Sequence, residues 1–325
     1  MSKPLQLLPW QAPLWQLVSQ AIKQERLAHA LLLCGLRGTG KRSFAQLLAA
    51  ALWCRAPKAQ GLPCGQCDSC RQVQSEAHPG YSVLRPEEGK RDISIEAVRV
   101  LCERLSMTSH DGRSKVAIID PADLLNRNGV NALLKTIEEP PPRSHLLLIS
   151  ERPLALLPTL RSRCQQLRFA IPGRDESLAW LVQGGGVADC AAALDAAHGA
   201  PLLARQLLQD QGLEQQRGWR SILLELASGK AEPLKAATMV GETQASAFLS
   251  WLYVWLLELL RAGLVPGSGA GVEALARSLP RAALDRYIVE VQEQLQRLEF
   301  NAKAQLVLEA TLIRWRALVA LGQRT

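Results

Sequence analysis

The sequence predicts an α/β domain of the parallel-sheet, P-loop type, followed by a small helical domain and an all-α C-terminal domain. Three observations carry that prediction. Short apolar runs alternate with segments of helical period as far as about residue 168, the pattern of strands joined by crossover helices. One of those runs, Ala30-Leu31-Leu32-Leu33-Cys34, flows into the glycine-rich stretch Gly35-Leu36-Arg37-Gly38-Thr39-Gly40-Lys41. After Ala170-Ile171-Pro172-Gly173 the strand-like runs stop and only helix-period segments remain. The expected divisions are residues 1–168, with a cysteine-bearing insertion at 54–70, then 169–210 and 211–325.

Taken in order, residues 13–27 read as an amphipathic helix. Residues 30–34 form a continuous apolar run closed by Gly35, as a strand buried on both faces requires. Residues 41–54 carry Phe44, Leu47, Leu48, Ala51 and Leu52 at helical spacing. Strands follow at 81–84, 116–120, 145–150 and 165–169, with helices at 93–105 and 128–138. The second of these is stopped by Pro140-Pro141-Pro142. Three short helices are expected at 175–183, 188–198 and 201–209, the first two separated by Gly184-Gly185-Gly186. Longer ones follow at 214–227, 244–262, 281–298 and 302–321, with a loop around Gly267 to Gly271.

The 325 residues are 48% hydrophobic and 21% charged, which fits a folded, soluble chain with several cores. Met1-Ser2-Lys3-Pro4 opens no apolar leader. The most apolar stretch, Phe248 to Leu260, contains Glu258 and falls short of the roughly 17–25 residues of a membrane span. A cytoplasmic location is therefore expected. The net charge of +8 is spread along the chain, so charge by itself does not select a nucleic-acid partner.

The Gly-x4-Gly-Lys pattern sits between a strand and a helix, the context a phosphate-cradling loop needs. Gly35, Gly38, Gly40 and Lys41 are the candidate nucleotide contacts. Arg42, however, stands where a Ser or Thr hydroxyl would hold magnesium, and Ser43 is about 100° further round the helix. Asp120 ends a strand as a magnesium-orienting carboxylate would. Pro121 follows it, where a water-activating acid belongs, and Asp123 is a candidate cap for the next helix. Binding of ATP or ADP is expected to be weak or absent, and hydrolysis by this chain alone is not expected.

Eight cysteines divide into two sets. Cys34, Cys102, Cys164 and Cys190 are scattered and read as small buried apolar residues. Cys54, Cys64, Cys67 and Cys70 lie close together in an insertion containing Pro57, Gly61, Pro63 and Gly65. Four thiolates can close a tetrahedral structural zinc site, and a segment too poor in apolar residues to build a core needs such a clip. An iron–sulfur cluster would use the same donors.

Two further stretches, Asn131-Ala132-Leu133-Leu134-Lys135-Thr136-Ile137-Glu138-Glu139-Pro140 and Thr159-Leu160-Arg161-Ser162-Arg163-Cys164, resemble the clamp-loader branch of the AAA+ ATPases. With the four-cysteine insertion they are similar to the bacterial DNA polymerase III members of that branch. The resemblance is strongest over residues 30–170 and mainly architectural beyond. It implies an AAA+ domain, a helical lid at 169–210 and a collar at 211–325. It implies a place in a ring with gamma/tau and delta subunits that loads the sliding clamp onto primed DNA, as a component of the DNA polymerase III holoenzyme.

The broken ATP site is similar to that of a ring member without turnover of its own. Arg163 would then be the arginine finger that reaches the ATP of a neighbouring subunit, the other reading of it being a surface ion-pair residue. Arg161, two residues away, is a decoy that periodicity cannot exclude, because on an extended segment the two face the same side. Leu202 occupies the place of the family's lid arginine, and Arg205 comes one turn later. Two alternatives remain open from the residues: an active gamma/tau-like ATPase, and a zinc-bearing DNA-binding module. The helix at 93–105 and the loop 107–113 are candidate clamp contacts by domain position. Trp251, Tyr253 and Trp255 read as bundle core rather than base-stacking groups, and the five histidines as local packing.

Overall fold

The computed structural model describes residues 5–87, 90, 92–107, 114–183, 189–262, 275–299 and 302–322. The chain forms two compact units, residues 1–210 and 211–325. In the first, five strands make one parallel sheet: β1 (Ala30–Gly35), β2 (Tyr81–Leu84), β3 (Lys115–Ile119), β4 (Ser144–Ser150) and β5 (Gln165–Phe169), in the order β2-β3-β4-β1-β5. Ala30 pairs with Leu146 on one side, and Leu31 pairs with Gln165 on the other.

The apolar runs are continuous because both sheet faces are covered. Leu31, Leu33, Val116, Ile118, Leu147 and Ile149 meet Trp15 and Val18 of α1 (Ala12–Lys23) and Phe44, Leu47 and Leu48 of α2 (Lys41–Trp53). Their alternates Leu32, Ala117, Ile119, Leu146 and Leu148 meet Val98 and Leu101 of α4 (Ile95–Ser106) and Val130, Leu133 and Ile137 of α5 (Arg127–Glu138). Successive residues of a strand point to opposite faces, so two cores demand apolar residues at every position. The edge strand β5 is buried only at Leu167 and Phe169 and alternates with Gln165, Gln166 and Arg168.

Several elements differ from the sequence expectation. The first helix ends at Lys23, ahead of a turn in which Glu25 has φ 53°. The helix expected from residue 93 starts at Ile95, because the Ser94 hydroxyl accepts the Ala97 amide (3.2 Å) and Ile93 bridges to Leu125. Three short helices had no readable period: α3 (Asp68–Gln74), α6 (Pro158–Ser162) and α11 (Pro233–Val240). The Gly184–Gly186 break, the loop around Gly267 to Gly271, His110 and residues 108–113 lie outside the described residues.

Among the described residues, three helices follow the sheet in the first unit: α7 (Arg174–Gln183), α8 (Cys190–Ala196) and α9 (Pro201–Gln209). They enclose a small core of Leu181, Cys190, Ala193, Leu194, Ala197 and Ala204. The second unit contains α10 (Gly212–Ala227), α11, α12 (Ala245–Ala262), α13 (Arg281–Glu299) and α14 (Ala304–Gly322). By length and composition α12 resembles a membrane span, but Phe248, Leu249, Leu252, Trp255, Leu256 and Leu259 face the core of this unit. Trp255 is buried, and Trp251 and Tyr253 pack half-buried against the same core, as the sequence reading expects.

Candidate functional site

The glycine-rich loop runs from the end of β1 into α2. Gly38 has φ 82° and Gly40 φ 91°, conformations that a side chain would strain. Both also lie under close neighbours. A Cβ on Gly38 would sit 2.7 Å from the Leu203 Cβ, and one on Gly40 2.5 Å from Gln11 Nε2. The loop is thus packed against the chain at its Cα positions and its carbonyls. Leu202 N–H donates to Gly38 O (3.1 Å), Trp10 Nε1 to Thr39 O (3.0 Å) and Gln11 Nε2 to Gly40 O (2.9 Å).

The ionisable groups of the loop are likewise committed within the chain. Lys41 is 4% exposed and its Nζ donates to Gly35 O (2.8 Å) and Leu36 O (2.7 Å). Burial pulls its pKa below the usual lysine value, with the carboxylates of Glu151, Asp120 and Asp123 opposing the shift. Arg42 Nε donates to Oδ2 of Asp120, a carboxylate itself only 4% exposed. A guanidinium therefore occupies the lone pairs that would orient magnesium. Ser43 cannot replace the missing hydroxyl, since its Oγ donates back to Gly40 O (2.9 Å).

Asp123 does not cap the following helix. Its carboxylate accepts Ser150 Oγ and the Glu151 amide, both at 2.6 Å, and so ties the segment after β3 to the end of β4. The cap of α5 is Asn126, whose Oδ1 accepts the Gly129 amide (2.8 Å). Arg205, which follows Leu202 on α9, is engaged with an aromatic ring. Its guanidinium lies 4.3 Å over the Trp180 ring, which meets Trp10 edge-on at 5.3 Å. This aromatic cluster joins α7 and α9 to the segment leading into α1, and its partners are too far apart in sequence to be paired by periodicity.

The four cysteines of the insertion converge. The Sγ atoms of Cys54, Cys64, Cys67 and Cys70 all lie within 4.8 Å of one another, and those of Cys64 and Cys70 are 3.9 Å apart. A tetrahedron with zinc–sulfur bonds of about 2.3 Å has sulfur–sulfur edges of about 3.8 Å, so the donor set fits the ion in type, number and spacing. Amides of Gln66 and Cys67 point at Cys64 Sγ and hold its thiol down to about 6, which favours the thiolate that a metal needs. Helix α3 presents Cys70 and Val73 to the core beneath α2. Of the scattered cysteines, Cys34, Cys164 and Cys190 are buried. Cys102 is only half-buried, between α4 and α5 with its Sγ 3.9 Å from Ala132 O, short of the full burial the sequence reading expects.

Arg161 and Arg163 do not lie on an extended segment. Arg161 belongs to α6 and Arg163 caps its C-terminus in a helical backbone conformation (φ −95°, ψ −4°), so the two diverge by about 200°. Arg161 is half-buried and its Nη1 donates to Pro153 O (3.3 Å). The Arg163 side chain is 41% exposed, with Nε 2.7 Å from Glu138 Oε1 and Nη1 donating to Thr159 O (3.2 Å). Sequence reasoning passed over Glu138; its place at the end of α5, beside a proline stop, was the available signal.

Comparison with known proteins places these features in a family. The family described as "DNA polymerase III, delta subunit" matches residues 10–172. DNA polymerase III subunit delta' of Pseudomonas aeruginosa is 36% identical over 97% of this chain and 99% of its own length. The delta' subunit of Yersinia pestis is 33% identical over 97% of this chain and 96% of its own. The tau subunit of Salmonella typhimurium is 38% identical over 44% of this chain and 22% of its own.

Proposed function

The chain belongs to the delta' family of DNA polymerase III clamp-loader subunits, and from that premise we propose that it is a ring member without ATP turnover, lending Arg163 to a neighbour's ATP site. The observation that carries this reading is the commitment of Lys41 and Asp120 to partners inside the chain, beside an outward-facing Arg163. A loop whose lysine is turned onto its own carbonyls and whose acid holds an arginine offers neither side chain to a triphosphate and its magnesium. The same observation weighs against the active gamma/tau-like alternative.

In this reading residues 1–168 and 169–210 are the AAA+ and lid domains, and 211–325 the collar that meets gamma/tau and delta subunits in the cytoplasm. The sliding clamp and primed DNA are partners of the assembled ring. Cys54, Cys64, Cys67 and Cys70 hold a structural zinc that folds the insertion and takes no part in chemistry. A guanidinium supplied from a neighbour stabilises charge on the γ-phosphate oxygens, and such fingers accelerate hydrolysis by about 10³–10⁵-fold in GTPase systems.

The test is Arg163→Ala in a loader reconstituted with delta and gamma/tau subunits. DNA-stimulated ATP hydrolysis at the dependent site should fall by orders of magnitude while Arg161→Ala, the matched control, leaves it near the parent value. Unchanged hydrolysis and clamp loading by an intact Arg163→Ala ring would remove the finger assignment.

A further inference from the structure

We infer that Glu138 is a positioning residue for Arg163, an inference that rests on the finger reading above. The two side chains meet at the rim of one core layer. Ile137, the neighbour of Glu138, and Leu160 and Cys164, which bracket Arg163, are all buried in the same apolar cluster on one face of the sheet. Packed cores do not deform continuously, so the backbones that carry the acid and the arginine are held in fixed relation. The 2.7 Å separation of Glu138 Oε1 from Arg163 Nε follows from that relation.

The form of the contact separates positioning from neutralisation. A carboxylate that parks an arginine does so through two parallel bonds to the guanidinium fork. Here the carboxylate lies at the root of the guanidinium, against Nε, and Thr159 O takes one Nη1 proton. Nη2 makes no hydrogen bond among the described residues. A guanidinium has five N–H donors, and the outer ones stay available to phosphate oxygens. Arginine loses much rotamer freedom when it binds, and a side chain held beforehand loses less at the moment of reaction.

Stability does not account for Glu138. It is the last residue of α5 and Glu139 follows it, so two carboxylates stand at the negative end of the helix dipole. The ion pair is half-exposed on both sides (50% and 41%), the kind that contributes little to folding. An acid in an unfavourable place, joined to the one residue whose orientation matters to a neighbour, is explained by that orientation.

The experiment uses the complete loader with Glu138→Ala, Glu138→Gln, Arg163→Ala and the double variant, reading kcat and KM for ATP in DNA-stimulated hydrolysis. Glu138→Ala should lower kcat roughly 10-fold with KM unchanged, a misorientation effect. Glu138→Gln keeps an acceptor beside Nε and should stay within about twofold of the parent on the same ground. The double variant should be no slower than Arg163→Ala. A loss with Arg163→Ala but none, or a gain, with Glu138→Ala overturns the positioning role and leaves the finger intact. A loss with Glu138→Gln as large as with Glu138→Ala overturns it as well. No loss with Arg163→Ala removes the finger reading itself. Glu138 is exposed enough that all variants should melt and assemble as the parent does, which a thermal scan and gel filtration verify.

Discussion

Magnesium-ATP should leave the melting temperature of the isolated chain almost unchanged. If phosphates displace residues 202–203 from the loop, the Leu202–Gly38 hydrogen bond is lost, about 0.5–1.5 kcal/mol. Leu203, already half-buried, must leave the face of Gly38, a further loss of about 1 kcal/mol. Asp120 must exchange Arg42 for magnesium, about 1 kcal/mol once the 59% exposure of the Arg42 side chain is allowed for. The Lys41 bonds exchange for phosphate contacts and nearly cancel. The total of roughly 2.5–3.5 kcal/mol weakens a P-loop by about 70–400-fold, which moves a Kd of about 10 μM to about 0.7–4 mM. At 1 mM ATP an open site would add about 2.7 kcal/mol, or about 5–10 °C, whereas the closed one adds at most about 0.5 kcal/mol, about 1–2 °C. Differential scanning fluorimetry over an ATP series resolves that difference. Arg42→Ser should melt about 2–4 °C lower, from the loss of the Asp120 pair, and rise by less than about 5 °C at 1 mM ATP, because the lid contacts remain. A saturable rise of 5 °C or more with a micromolar midpoint, in either protein, would refute the reasoning.

One zinc ion per chain is expected, and its removal by chelation, or Cys64→Ser, should expose the amides of residues 59–75 to hydrogen exchange while the sheet stays protected; mass spectrometry of exchanged peptides reads both. His145, on β4, is held below the usual histidine pKa, chiefly by burial, with a hydrogen bond to Ala28 O (3.2 Å) opposing the shift. The unfolded state then gains a proton before the native state does, so stability is complete above about pH 6.5 and falls as the pH drops through that value towards the native pKa, by at most about 1.4 kcal/mol per pH unit. Urea midpoints at pH 7.5 and 5.5 should show that slope, and His145→Gln should flatten it. Trp315 is fully buried, with Nε1 donating to Leu223 O (2.9 Å) and its ring against Trp255 and Tyr287. Trp315→Ala should lower the stability of the second unit by about 3–5 kcal/mol, measured by denaturant unfolding followed by circular dichroism.

How much was legible depended on the range of the interaction. The central strands were readable because a sheet buried on both faces needs apolar runs, and β1 at residues 30–35 and β4 at 144–150 appear where those runs lie. The helices α3, α6 and α11 are too short to display a period, and α6 lies inside the segment that carries Arg161 and Arg163. Reading that segment as extended left the two arginines equivalent; one turn of helix separates them. Proximity offers Asp123 the nearest helix, although its partners Ser150 and Glu151 lie at the end of β4, further along the chain.

By itself the sequence determined which groups are present: a phosphate-loop pattern with Arg42 in the magnesium-ligand place, Pro121 after Asp120, four clustered thiols and two arginines beside a proline-stopped helix. These are matters of residue type and local spacing, and chemistry follows from type. Tertiary structure alone decided how those groups are spent. It turned Lys41 inward, joined Arg42 to Asp120, laid Leu202 and Leu203 on the loop, and set Arg163 against Glu138. Each of these contacts joins groups whose meeting depends on backbone turns and packed cores, and no local pattern records distances that only a folded core can set.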